Sequence, residues 1–315
     1  MKKIIIVFAA VLAFSCSKDD DLSLPNTVDP DGSADVEVQD FMWKAMNFWY
    51  FWQANVDDLA DDRFENTEEG RAAYTAFLDS EDDPAAFFEN KLQFIQDRFS
   101  FYNEDYRELT NSLAGISKSN GLEFGLVQFQ DSDEIFGFVR YIVPNSNATS
   151  ANIQRGDLFT GVDGQTLTID NYIGLLFGDN DTYTLNMADF ENGNIVPNEE
   201  EVTLTKEEGL AENPVFLSKS FTIAGENIGY IMYNQFTNEY DDDLYAAVQD
   251  LKSAGITNLV MDLRYNPGGS VNTTRLLASM IYGTNTSDIF LRKRYNDKLQ
   301  EQFNDSQLEV YFADK

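Results

Sequence analysis

Leu259-Val260-Met261-Asp262-Leu263-Arg264-Tyr265-Asn266-Pro267-Gly268-Gly269-Ser270 is the stretch whose reading decides the fold. Its first five residues form a nearly continuous apolar run, short enough for a strand and suited to one covered on both faces. Pro267 and the two glycines end the run. Ser270 stands where the N-cap of a further helix belongs, with Leu276, Leu277, Met280 and Ile281 as its expected buried positions. A strand that ends in a Gly-Gly turn and feeds a helix start leaves backbone N–H groups unpaired at the positive end of a helix dipole. Glycine also lets another molecule approach the backbone closely. Gly268 and Gly269 are therefore candidate oxyanion-hole donors, an arrangement that lowers a barrier by roughly 3 kcal/mol.

Upstream, Ile228-Gly229-Tyr230-Ile231-Met232-Tyr233 reads as a short apolar strand. Asp241-Asp242-Asp243 then opens a helix with its acids at the positive end of the dipole. Leu244, Ala247, Val248 and Leu251 mark its buried face, and Gly255 is the expected C′ residue. The three pieces make a strand–helix–strand unit.

Between residues 121 and 166 the period is that of strands. Leu122–Gln128 and Phe136–Val143 are strand-like, a loop at 144–148 and a short helical piece at Thr149–Ile153 follow, and Val162-Asp163-Gly164-Gln165 reads as a tight turn. This order resembles a PDZ domain over about 115–210. Phe124-Gly125-Leu126 matches its φ-Gly-φ loop, and Gly156–Gly164 its glycine-bounded strand and turn. The resemblance implies that amides of the Phe124, Gly125 and Leu126 loop bind a peptide's terminal carboxylate while the peptide adds as a strand.

Toward the N-terminus, Val36–Gln53 has apolar residues at 38, 41, 42, 45, 46, 49 and 52, a helical period with Asp35 as the expected N-cap. Its tryptophans and Tyr50 read as core rather than as a sugar-stacking platform. A polar, acidic stretch at 57–70 follows. Pro84 then starts a second helix with Phe87, Phe88, Leu92, Ile95 and Phe99 as its stripe, and Asn111–Asn120 reads as a polar break. The helical region spans 36–110. Ahead of it, Lys2 and Lys3 precede an apolar run to Phe14, followed by Ser15 and the sole cysteine, Cys16. That is too short to span a bilayer and resembles a lipoprotein signal, with residues 1–15 removed and Cys16 lipidated. The acidic run 17–21 resembles a surface-export signal, within a flexible linker over 16–35.

Histidine is absent, so no Ser-His-Asp or Cys-His arrangement exists within these residues. One cysteine provides neither a disulfide framework nor a cysteine zinc site. A formal charge of −32 makes nucleic acid a poor partner. No metal or organic cofactor is implied.

Residues 228–270 as a whole closely resemble the core of the carboxyl-terminal processing (tail-specific) serine peptidases. Met46-Asn47 with Tyr50 and Trp52, Asp97-Arg98-Phe99-Ser100, and a PDZ-like stretch ahead of the core agree with it. The resemblance implies a multidomain α+β chain: an N-terminal helical region, a PDZ-like β domain, and over 218–315 the start of an α/β peptidase core of the crotonase-like or ClpP-like kind. Gly268 and Gly269 match the family's oxyanion turn, and Asp262, Arg264 and Asn266 its scaffold. The family uses a serine with a lysine base, which fits the missing histidine. Ser270, Ser279, Ser287, Ser306, Lys293 and Lys298 are poor matches, so the dyad is expected beyond residue 315 and the chain reads as truncated. The implied partner is a polypeptide with a free C-terminus, met at the outer membrane, the cell surface or in the periplasm by a protein anchored to the membrane through Cys16. A second reading is a PDZ-bearing lipoprotein that captures peptides without cutting them.

Overall fold

A computed structural model describes residues 28–282 and 285–314. The signal region, Cys16 and the acidic run lie outside the described residues. In chain order the helices α1 (Glu37–Trp49), α2 (Glu68–Leu78), α3 (Pro84–Phe87) and α4 (Tyr106–Leu113) come first. Ten strands follow: β1 (Ile116–Ser119), β2 (Leu122–Gln128), β3 (Ile135–Ile142), β4 (Leu158–Val162), β5 (Gln165–Thr166), β6 (Thr182–Glu191), β7 (Asn194–Thr205), β8 (Glu207–Ala211), β9 (Val215–Ile223) and β10 (Glu226–Tyr233). Then come α5 (Asp241–Ser253), β11 (Asn258–Asp262), α6 (Val271–Tyr282), β12 (Ile289–Arg292), two short helices, α7 (Asp297–Gln300) and α8 (Asp305–Leu308), and β13 (Glu309–Tyr311). The mixture of helix and sheet agrees with an α+β chain.

The chain forms two compact units. One runs to Tyr102 and includes Ile289–Tyr311. Within the expected 218–315 piece, residues 289–311 pack with the helical region. Asn296 explains why, since its buried carboxamide donates to the carbonyls of Phe48 and Tyr50 at 2.9 and 3.0 Å. The core here gathers Trp43, Tyr50, Leu59, Tyr74, Leu78, Phe87 and Leu92. Three local expectations also change. First, α1 starts at Glu37 and Asp35 does not cap it. Second, α1 buries Gln39, Met42, Trp43, Asn47 and Phe48, while Phe41 is 71% and Trp49 54% exposed. Polar Asn47 is tolerated inside because its Nδ2 donates to the Leu59 carbonyl at 2.8 Å. Third, α2 begins within the polar, acidic stretch at 57–70, capped by Thr67, whose hydroxyl accepts the Gly70 N–H. The stripe after Pro84 stops at Leu92, and Ile95 and Phe99 lie exposed.

The other unit spans Asn103–Asp288 with Phe312 onward. α4 and β1 occupy the supposed polar break. Among the described residues one sheet runs β2-β3-β4-β6-β7, with β5 on β4. Leu122, Val139, Phe159, Val162, Leu185 and Leu204 fill its core. The turn at 163–164 forms as read, with Asp163 and Gly164 at φ 51° and 76°, joining β4 to β5. A second sheet has the order β11-β10-β9, with β10 and β11 parallel across α5 and β9 antiparallel to β10. Tyr141, Val143 and Met232 pack with Leu217 and Tyr265. That shared apolar seam makes the 115–210 and 218–288 stretches one unit.

Candidate active site

α5 buries Leu244, Ala247, Val248 and Leu251, and Gly255 ends it at φ 71°, as the sequence requires. β11 departs from expectation. It lies at the sheet edge among the described residues, with Val260 47% and Leu263 42% exposed, so it is not covered on both faces. Its last residue, Asp262, is buried and receives three groups: the Tyr230 hydroxyl, the Arg264 guanidinium through Nε at 2.9 and 3.1 Å, and the Arg264 backbone N–H at 3.2 Å. The Arg264 hydrogen bonds, with help from Tyr230 and against burial, hold the Asp262 carboxyl well below the usual carboxylate range. Asp262 and Arg264 thus fix how the chain leaves the strand.

Tyr265 follows, its ring beneath three cations: Arg140, Arg155 and Arg264 lie 5.7, 5.5 and 6.0 Å from its centroid. Its hydroxyl accepts a hydrogen bond from Arg155 at 3.0 Å. Asn266 clamps the turn itself. Its Nδ2 donates to the Tyr233 carbonyl at 2.9 Å, and its Oδ1 accepts the Gly268 N–H at 2.8 Å. Gly268 is therefore corrected: its amide is spent inside the protein and is not a free oxyanion donor in this conformation.

Gly269 is different. It bridges in parallel to Phe236, whose N–H donates to the Gly268 carbonyl at 2.9 Å and whose carbonyl accepts the Ser270 N–H at 2.7 Å. The Gly269 N–H between those two bonds has no acceptor among the described residues, and Gly269 is exposed. Gly269 sits at φ 132°, and a Cβ there would lie 2.2 Å from the Phe236 carbonyl oxygen. Only glycine fits.

Ser270 caps α6 as read: its Oγ accepts the Thr273 N–H at 3.2 Å. The Val271 and Asn272 N–H groups have no acceptor among the described residues, so the positive helix end opens beside Gly269. Thr273 is buried and donates to Asp241 at 2.6 Å, which ties the start of α6 to the start of α5. Thr273 and Ser279 replace Leu276 and Ile281 among the buried positions of α6. Ser279 is committed, donating to the Arg275 carbonyl at 2.6 Å and accepting the Ala313 N–H at 2.8 Å. Ser306 donates to Asn304 at 2.6 Å, and Lys298 pairs with Asp61 and bonds the Asn47 carbonyl. No serine hydroxyl meets a lysine amine among the described residues.

The Phe124-Gly125-Leu126 segment is also corrected. It lies in the middle of β2, paired with Gly137–Val139, and is not a loop. Gly125 is small because the Phe138 ring fills the space, 2.4 Å from where a Cβ would sit. The glycine turn precedes it, at Gly121 with φ 80°, and there the Gly121 and Leu122 amides are taken by Ser119 Oγ and Asn120 Oδ1, each at 3.0 Å. What remains for a ligand is the outer edge of β2, open among the described residues, with Phe124 stacked on Phe177 at 5.8 Å.

Beside the turn lies a cavity of about 300 Å³ that includes Glu123, Arg140, Tyr141, Glu212, Asn234, Tyr265 and Pro267 in its walls. Sequence reading did not find Glu123 or Glu212. Nothing in their local pattern marks them, because they meet the turn only through the fold.

Residues 37–101 match the Peptidase S41 N-terminal domain, and residues 227–313 match Peptidase family S41. The chain is 27% identical over 169 residues to a carboxyl-terminal-processing protease of Synechocystis, covering 53% of this chain and 38% of that protein. It is 26% identical over 198 residues to another of that name from Picosynechococcus, covering 59% and 45%. The matched segments thus span less than half the length of these curated relatives. A crystal structure of an S41-type protease from Bacteroides fragilis superimposes with a TM-score of 0.57 at 24% identity, covering 90% of this chain and 67% of that one. That likeness speaks to the fold.

Proposed function

Because the chain belongs to the carboxyl-terminal processing peptidases of family S41, we propose that it is part of a serine-type endopeptidase that cuts polypeptide tails. The observation that carries this is the Gly269 N–H, exposed and unpaired between two backbone bonds to Phe236. A carbonyl oxygen that gains negative charge during acyl transfer finds there a preorganised donor, reinforced by the start of α6. The nucleophile and base in this reading are a Ser/Lys dyad on residues outside this sequence, since Ser270 is taken as a helix cap and Ser279 is bonded to the Arg275 carbonyl and the Ala313 N–H. A buried lysine serves as base once its pKa is lowered toward ~7–8.

The β2-β3-β4-β6-β7 sheet supplies guidance. A polypeptide with a free C-terminus adds as a strand to β2, with Phe124 and Phe177 offering an apolar footing, in the PDZ manner. The amides of the Gly121 turn are occupied, so strand pairing rather than carboxylate capture is the main contact in this reading. Export and lipid attachment at Cys16 complete the proposal and place the enzyme in the cell envelope. The committed serines also favour a second reading, a peptide-binding lipoprotein without catalysis.

Proteolysis of casein separates the two. The full-length gene product is expected to cleave it, and residues 1–315 alone are expected to leave it intact. Inactivity of the full-length product would favour the binding protein, and cleavage by residues 1–315 alone would overturn the placement of the dyad.

A further inference from the structure

We propose that the cavity beside the turn, where Glu123 and Glu212 face Arg140 and Tyr265, is a proton-operated control on the geometry of Gly268 and Gly269. Its bearing on catalysis rests on the proposed role of Gly269; the control itself does not.

The two carboxyls are not equivalent. Glu212 has two donors, the Tyr141 hydroxyl at 3.0 Å and Asn234 Nδ2 at 3.5 Å, and both favour its charged form. Glu123 has no hydrogen-bond donor to its carboxyl among the described residues. Burial, then the nearby Glu212 charge, push Glu123 up to about 7, with Arg140 opposing, and burial raises Glu212 as well. Of the two, Glu123 is therefore the carboxyl that holds its proton against rising pH. The other groups that face them are few. Arg140 is the one cation in the walls; Tyr141 and Tyr183 stay protonated, mainly through burial; Tyr240 lies close enough to feel Glu212; and Ser112, Gly115, Ile116 and Ser117 bring no charge.

Two routes lead from this cavity to the turn. Arg140 lies over the Tyr265 and Phe138 rings at 5.7 Å each and acts through its charge on Glu123. Asn234, bonded to Glu212, stands two residues before Phe236, whose backbone grips both sides of Gly269. When Glu123 loses its proton, a second negative charge enters the cavity and draws Arg140 away from Tyr265. The turn is thus clamped below the midpoint and loosened above it. The sign is fixed by linkage: a carboxyl raised from 4.5 to about 7 binds its proton more tightly in the folded chain, so it contributes stability at low pH that is lost as pH rises through about 7.

The test is a titration of the whole chain labelled with ¹⁵N-glycine, following the Gly268 and Gly269 amide resonances over about pH 5 to 9. Wild type is expected to move with a midpoint near 7, Glu123→Gln to be flat, and Glu212→Gln to keep the transition at a lower midpoint because the like charge is gone. Glycine resonances that do not titrate in wild type, or that titrate unchanged in Glu123→Gln, would overturn the control and leave the peptidase reading standing.

Discussion

Asn266 shows how one side chain decides what a backbone can do. Its carboxamide joins the Tyr233 carbonyl to the Gly268 amide, and by occupying Gly268 it leaves Gly269 as the free donor of the turn. Asn266→Ala should cost about 1–3 kcal/mol in chemical denaturation, because two hydrogen bonds go and their partners must find water. In the full-length enzyme the same change should lower kcat at least about tenfold through the loosened turn. Asn266→Asp keeps the acceptor for Gly268 and should retain more of both. Unchanged stability and unchanged kcat in Asn266→Ala would remove the clamp from the account. The sequence marked Asn266, Asp262 and Arg264 as scaffold through family likeness alone. It could not tell which glycine amide was spent, since that depends on where the Asn266 side chain turns.

Among elements, α5 and α1 mark the reach of periodicity. In α5 the expected face of Leu244, Ala247, Val248 and Leu251 is the buried one, because nothing polar competes for it, and the face was legible to the residue. In α1 the apolar period pointed to 38, 41 and 49, all of them exposed, while Gln39 and Asn47 went inside. Buried amides satisfied by backbone carbonyls leave no trace in hydropathy. Family likeness did better there, because it singled out Tyr50 and Asp97, which meet. The Tyr50 hydroxyl donates to Asp97 at 2.6 Å and accepts the Phe94 N–H at 3.0 Å, and Asp97 also takes the Phe99 and Ser100 amides. Burial tends to raise Asp97, but hydrogen bonds from Ser100, Tyr50 and the Phe99 and Ser100 amides win and hold it at about 2; burial and Asp97 push Tyr50 up to about 12. A depressed carboxyl stabilises the fold above its unfolded value of 3.8 and loses that contribution as pH falls toward about 2. After allowance for solvent screening this is worth about 1–2 kcal/mol near neutral pH. Melting of Asp97→Asn against wild type should show that gap at neutral pH and its closure by about pH 2. A gap independent of pH would mean that Asp97 acts through packing instead.

Over the whole molecule, the order of pieces was readable and their grouping was not. Local period and turn chemistry located β2, β10, α5, β11 and the cap of α6. The return of 289–311 to the helical unit depends on Asn296 reaching carbonyls more than two hundred residues away, beyond any local signal. What the fold achieves at its candidate site is narrow: β10, β11, α5 and α6 together leave the Gly269 N–H exposed beside the open start of α6, with Gly269 gripped from both sides by Phe236. Semisynthesis of the full-length enzyme with a backbone ester in place of the Gly269 N–H deletes that donor, and besides this only weakens the Gly268 carbonyl as acceptor of the Phe236 N–H. The account predicts a loss of about 10²–10³ in kcat with little change in KM and a small fall in melting temperature, since that N–H makes no bond in the resting protein and only the Gly268 acceptor is weakened. An ester enzyme that cleaves casein at the wild-type rate would contradict it.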